Sequence, residues 1–230
     1  MNSGLLLGID TSGIRTGVAL VRDDATLSEE ITDGSTHNEV ILALLKAALR
    51  KTGSALDDLH GIGVTVGPGM FTSLRVGLAV AKALCLTRNI PLKGINTLEA
   101  LARSTGEEHR PVLAIVDARK KQVYAAAYRR DEPLLEPRVV APDRLPGLLG
   151  AALTADEALV VCGAAGLVVE ELARAGIRSA VSETEFPSPA VVARIASRSF
   201  EVGDCDDPAS LAPLYLRKTD AELTREKDRP

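Results

Sequence analysis

PVLAIVDARKKQVYAAAYRR, residues 111–130, decides the fold, because the chain has already used its pattern once. An apolar run ends in Asp117, a tight turn follows, and a second apolar run begins. The N-terminal stretch does the same: GLLLGID (4–10) ends in Asp10, TSGIR turns, and TGVALVRDD (16–24) runs back. Continuous apolar runs of this length between turn signals read as buried strands, so each copy predicts a hairpin. Laying Asp117 on Asp10, an offset of 117 − 10 = 107, also lays YAAA (124–127) on GVAL (17–20). Two similar units in one chain are expected to pair about a pseudo-two-fold axis.

Working outward, ATLSEEI (25–31) adds a third strand and residues 38–52 a helix closed by Gly53. GIGVTVG (61–67) is a strand, 72–87 a helix, LKGIN (92–96) a short strand, and TLEALARST a helix with Thr97 as its N-cap. The second half predicts helices near 142–153, 166–175 and 187–203 and a strand ALVVCG at 158–163. Pro133, Pro137 and Pro142 mark a loop-rich segment between them. This order implies an α/β fold of two lobes, 1–106 and a smaller 107–216, followed by a charged tail, 217–230.

Composition narrows the function. The 230 residues are 46% apolar with a net charge of −4, so no global basic footprint marks a nucleic-acid binder. Aromatics are 3% with no Trp, which leaves little for base stacking. Cys85, Cys162 and Cys205 form no CxxC pair and fit a reducing compartment. No basic leader and no apolar run of membrane-spanning length is present, so a cytoplasmic protein without membrane contact is expected.

TVGPGMFTSLRVGLAVAKAL (65–84) has the outline of a phosphate loop: a strand, glycines, then a helix. It lacks the Lys-Ser/Thr of a P-loop, and Thr72 stands where a dinucleotide fingerprint needs its last glycine. Asp10, Thr11, Ser12, Gly67, Gly69 and Thr72 therefore form at most a vestigial nucleotide or anion site, or a tightly packed turn. Asp117 has the same place in the second copy, but bulky Ala118-Arg119-Lys120-Lys121 follow it. His37, His60 and His109 have no helical metal-pair spacing, and position four after His37 is Ile41, so no metal and no cofactor is expected. The helices 38–52 and 72–87 are apolar nearly all round, more than one sheet face requires. They read either as core helices or as a subunit interface.

GIDTSGIRTGVALV, HNEVILALLKAAL, VTVGPGMFTSLRVGLAVAKAL, GINTLEALA, VDARKKQVYAAAY and APLYLRK, in that order, resemble the TsaB (YeaZ) family from Leu5 to about Lys218. Met70 and Ser73 stand where the family more often has small Ser and Gly. The resemblance implies an actin/hexokinase-like (ASKHA) fold of two RNase-H-like lobes. It also implies a role in placing threonylcarbamoyladenosine beside the tRNA anticodon. It further implies a non-catalytic paralogue of TsaD, the threonylcarbamoyl-transferring subunit, whose HxxxH metal motif is here His37-Asn-Glu-Val-Ile41. The partners it implies are TsaD, the ATPase TsaE and, in isolation, a second copy, with tRNA reached only through the complex. The two apolar helices would carry the contact through Val40, Ile41, Leu44, Leu45, Ala48, Leu74, Arg75, Leu78 and Ala81, with Arg75 aimed at a partner carboxylate. Two other readings stay open. One is a small ASKHA ATPase or kinase using Asp10 and the 67–73 loop. The other is a tRNA-binding module using Arg119, Lys120 and Lys121.

Overall fold

A computed structural model describes residues 4–34, 37–150, 153–154 and 157–216, without the side chains of residues 37–39. The charged tail and the ring of His37 lie outside the described residues. The first half runs β1 (Leu5–Asp10), β2 (Arg15–Arg22), β3 (Ala25–Asp33), α1 (His37–Thr52), β4 (Leu59–Gly67), α2 (Phe71–Arg88), β5 (Leu92–Asn96), α3 (Thr97–Arg103). The second runs β6 (Val112–Asp117), β7 (Val123–Arg129), β8 (Glu132–Val140), α4 (Leu145–Leu149), β9 (Leu159–Gly163), α5 (Val169–Arg174), β10 (Ser179–Val181), α6 (Pro189–Glu201). The first sheet has the order β3-β2-β1-β4-β5 and the second, from its matching edge, β8-β7-β6-β9-β10. Both are three antiparallel strands continued by two parallel ones, so the duplication seen in sequence is a duplication of topology.

Register corrects the sequence alignment by one residue. Asp10 pairs with Gly17, whereas Asp117 pairs with Val123. The second hairpin turn is one residue shorter, so YAAA (124–127) lies over VALV (18–21). The proline-rich segment is also corrected, since residues 132–140 form β8. β8 is an edge strand, where a missing N–H costs no ladder bond, and its register shifts twice against β7, with Pro137 inside one shift. Asn96, not Thr97, caps α3: its side chain accepts the Leu98 N–H at 2.8 Å. The helix expected at 142–153 shortens to a 3-10 turn at Pro142–Arg144 followed by α4, and that at 166–175 begins with a 3-10 turn, Ala165–Leu167.

Helix packing crosses the expected boundary at 106/107. α1 and α2 cover one face of the first sheet, with Leu7, Ile9, Ile62 and Val64 meeting Ile41, Leu45, Leu78 and Ala81. The opposite face is covered by α6, from the far end of the chain: Ala190 and Ala193 meet Leu6, Ala19 and Val21. In turn α3, from the first half, packs Leu98, Leu101 and Ala102 on Val112, Ala114, Ala126 and Cys162 of the second sheet. Each half thus gives its last helix to the other's sheet or to the seam between them.

Glycines make the α6 contact possible. A Cβ on Gly8 would lie 1.9 Å from the Pro189 carbonyl oxygen, and one on Gly63 2.8 Å from Ala196 Cβ. Gly8→Ala should therefore force α6 off the sheet and destabilise the protein by about 3 kcal/mol, read as a lower urea midpoint with an unchanged slope.

Candidate functional site

The turn after β1 is an internal hydrogen-bonded knot. Asp10 is 2% exposed. Its Oδ1 accepts the Ser12 hydroxyl at 2.7 Å, the Ser12 N–H at 3.1 Å and the Thr65 hydroxyl at 2.8 Å. The Thr65 oxygen accepts the Thr11 N–H at 3.4 Å. The glycine loop closes over this turn. Met70 N–H donates to the Ser12 carbonyl at 2.8 Å, and Gly69 sits where a Cβ would come within 2.3 Å of the same oxygen. Gly77 meets Thr11 in the same way, at 2.3 Å from its hydroxyl. Thr72 is exposed in the first turn of α2, whose N-cap is Met70 with no side-chain bond. Asp10, Thr11 and Ser12 are thus brought together beneath Gly69, where Asp10, Ser12 and Thr65 bond one another and the buried Thr11 hydroxyl has no hydrogen-bond partner.

Burial pushes the Asp10 carboxyl above the usual carboxylate range, against the pull of Ser12, Thr65 and Arg15. The folded state therefore holds this proton at pH values where the unfolded chain has released it. Stability falls as pH rises from the unfolded Asp value, about 4, toward the raised folded one. Asp10→Asn, which keeps an acceptor at Oδ1, should flatten that fall. Thermal melts of both proteins across the interval between about pH 4 and neutrality measure it.

Asp117 has the opposite environment. It lies at the exposed end of β6, and its carboxylate accepts the Arg119 N–H at 2.7 Å and pairs with the Arg119 guanidinium at 3.2 Å. This cap holds Arg119, Lys120 and Lys121 in a run of left-handed conformations, φ 60°, 51° and 58°, without a glycine. Between the two turns lies a cleft of about 520 Å³, walled by Ile14, Met70, Tyr124 and Phe186 among others. Phe186 packs on Gly13, 3.1 Å from where a Cβ would stand, and Arg15 lies 5.2 Å over its ring. An aromatic ring thus covers the first turn from the cleft side. Among the described residues no group of three or more His, Cys, Asp or Glu is placed to hold a metal.

The two apolar helices separate into an inward and an outward face. Ile41, Leu45, Ala48, Leu74, Leu78 and Ala81, nominated above as contact residues, are all buried in the protomer. That choice is corrected: the most apolar stripe of each helix is spent on the sheet beneath. Val40 and Leu44 are half-buried, and of the nine only Arg75 is exposed. The outward ridge of α2 is Phe71, Arg75, Ala79, Ala83 and Leu86, with Val76 and Val80 half-buried beside it and exposed Leu42 and Ala43 on α1. Leu86 is 66% exposed and Leu42 53%. Arg75 also has partners within the chain. Its guanidinium lies 3.7 Å over Phe71 and donates to the Tyr215 hydroxyl at 3.0 Å, while Tyr215 stacks on Phe71 at 5.3 Å. Tyr215 reaches α2 because the C-terminal segment is pinned to β4, Leu214 N–H donating to Val66 O at 2.7 Å. That segment joins the site unannounced in the sequence; APLYL shows no periodicity that would place it. Cys85 and Cys162 are buried, their thiols pushed up to about 12 by burial, and Cys205 is exposed.

Two lobes of one strand order, facing across a cleft lined by their first hairpin turns, have the actin/hexokinase-like (ASKHA) fold. A ROK hexokinase from Thermus thermophilus matches at TM-score 0.51 and 14% identity, over 84% of this chain and 99% of that one. YeaZ from Pseudomonas aeruginosa matches at TM-score 0.75 and 24% identity, over 92% of this chain and all of the other. The profile of the TsaD family, tRNA N6-adenosine threonylcarbamoyltransferase, matches residues 31–204, and the chain belongs to that family, in its TsaB (YeaZ) branch. TsaB of Bacillus subtilis is 35% identical over 140 residues, 60% of each chain. An uncharacterized protein of Mycobacterium tuberculosis is 34% identical over 221 residues, 94% of this chain and 93% of that one. The match to the Bacillus relative thus spans less than two thirds of its length. No described helix is long and apolar enough to cross a membrane.

Proposed function

We propose that this chain is a non-catalytic subunit in the formation of N6-threonylcarbamoyladenosine next to the tRNA anticodon. It docks a TsaD-type transferase through the outward face of α1 and α2 and holds that partner in its competent conformation. The observation that carries the reading is the exposed ridge of α2. Ala79 and Ala83 at its centre let a partner helix approach to about 8–10 Å, and Phe71, Val76, Val80 and Leu86 supply apolar area around them. A stable contact of this kind covers about 800 Å² on each side. In isolation the same face pairs with a second copy, and TsaE joins the assembly of the two paralogues. The chain works in the cytoplasm and meets tRNA through the complex.

Burial of Asp10 beneath Gly69 speaks against the kinase reading, since a carboxylate there does not reach a metal-bound phosphate. The pairing of Arg119 with Asp117 weakens the tRNA-module reading. Size-exclusion chromatography with the TsaD partner tests the docking: one co-eluting species is expected at micromolar protein. Separate elution at that concentration contradicts it.

A further inference from the structure

Behind the seam between the lobes, on the side away from the hairpin turns, a second cavity of about 230 Å³ opens between α3, the β7–β8 turn and α6. That volume is roughly eight waters' share of liquid. Four arginines line it, Arg103, Arg130, Arg194 and Arg198, in a chain whose net charge is −4. The carboxylates beside them are Asp131, Glu107 and Glu108. Asp131 is shared: Arg103 donates to it and Arg198 pairs with it at 3.3 Å. Arg103 also pairs with Glu99 at 2.9 Å. Glu107 is engaged by Arg110, outside the cavity, at 2.8 Å. Arg194 donates to the Asp24 carbonyl at 2.9 Å and the Thr26 hydroxyl at 2.6 Å, both neutral acceptors. Among the described residues Arg130 has no ion-pair partner; left-handed at φ 53°, it begins the turn over the cavity. Among the described residues Arg130 and Arg194 thus form no ion pair, although the Asp131 and Glu108 carboxylates line the same pocket. The field is felt at Asp131, held below the usual carboxylate range chiefly by Arg103 and further by Arg198 and Arg130. Tyr128 forms part of the wall, its phenol pushed up by burial and so protonated at neutral pH.

We propose that this cavity is a binding site for a compact phosphate-bearing anion, held by Arg130 and Arg194 with Arg103 and Arg198 behind them. Guanidiniums match the oxygens of a phosphate in pairs, and a partly enclosed pocket screens them less than open surface does. The concave shape suits a free phosphate or a terminal phosphate ester better than a continuous polynucleotide backbone. Binding here orders α3 against α6, the two helices that the lobes exchange.

Isothermal titration with pyrophosphate, inorganic phosphate and AMP, on the full chain, tests the assignment. One saturable site is expected, with affinity falling as salt rises. Arg130→Gln should weaken pyrophosphate about tenfold, and Arg130→Gln/Arg194→Gln more. Arg119→Gln, on the distant hairpin turn, should leave it unchanged. Unaltered melting temperature of Arg130→Gln, which breaks no hydrogen bond, separates lost binding from lost folding. The site is overturned by no saturable binding of any of the three anions up to about 10 mM. It is also overturned by equal loss in the Arg119 variant. Binding of tRNA but not of pyrophosphate, abolished by the same two substitutions, would overturn the small-anion assignment.

Discussion

Ala79→Arg should abolish the complex with the TsaD partner and leave the protomer folded. Ala79 is exposed at the middle of the α2 ridge, and arginine is nearly as good a helix former as alanine, so the free chain loses almost nothing. In the complex the added side chain stands where a partner helix must come closest, and its charge would be desolvated without a counter-ion. An affinity loss of about a hundredfold or more, close to 3 kcal/mol, is expected by titration calorimetry. An affinity within threefold of the parent would place the contact elsewhere.

Leu45→Asp should do something different, although it lies on the neighbouring helix. Leu45 is 3% exposed and packs within the first sheet's main cluster. A carboxylate there has lost its apolar contacts and gained no partner. Removal of the side chain alone costs about 2–5 kcal/mol, and burying an unpaired polar group adds more. A total of about 5 kcal/mol is comparable with the whole stability of a domain at the lower end of the usual range. Circular dichroism should show a protein largely unfolded at 37 °C. Failure of this variant to bind would then say nothing about the interface. A folded Leu45→Asp protomer would mean that α1 is not seated as described.

The contrast between Ala79 and Leu45 shows what the sequence carried and what it did not. LLLGID and ALVVCG were legible because a strand buried on both faces needs an unbroken apolar run, and α2 was placed to within a residue at each end. The duplication was legible because both hairpins end their first strand in an aspartate. The slip of one residue in its alignment came from turn length, which the pattern of apolar residues does not encode. β8 was hidden by its prolines, which an edge strand tolerates and a central one does not. The direction of each interfacial side chain was hidden for a related reason. On a helix apolar all round, periodicity cannot choose between the face on the sheet and the face left outside: Ile41, Leu45, Leu74 and Leu78 went inward, while Leu42, Phe71 and Leu86 stayed outside. The exchange of α3 and α6 between the lobes rests on contacts such as Gly8 with Pro189, 181 residues apart, which no local signal reports.

The glycines of the loop before α2 and of its second turn answer to the protein's own packing. Gly69 and Gly77 are required because backbone and side-chain oxygens of Ser12 and Thr11 occupy the space a side chain would take. Close approach is to the protein's own turn. What remains outward on α2 is the ridge from Phe71 to Leu86, with Arg75 and Tyr215 locking its first turn to the C-terminal segment.

The most direct measurement is formation of N6-threonylcarbamoyladenosine on tRNA in a purified system of the TsaD partner, TsaE and the threonylcarbamoyl-adenylate donor. The account predicts product when this chain is added, none when it is omitted, none from this chain without TsaD, and none when Ala79→Arg replaces it. Undiminished product in its absence, or product made by this chain alone, would contradict the account.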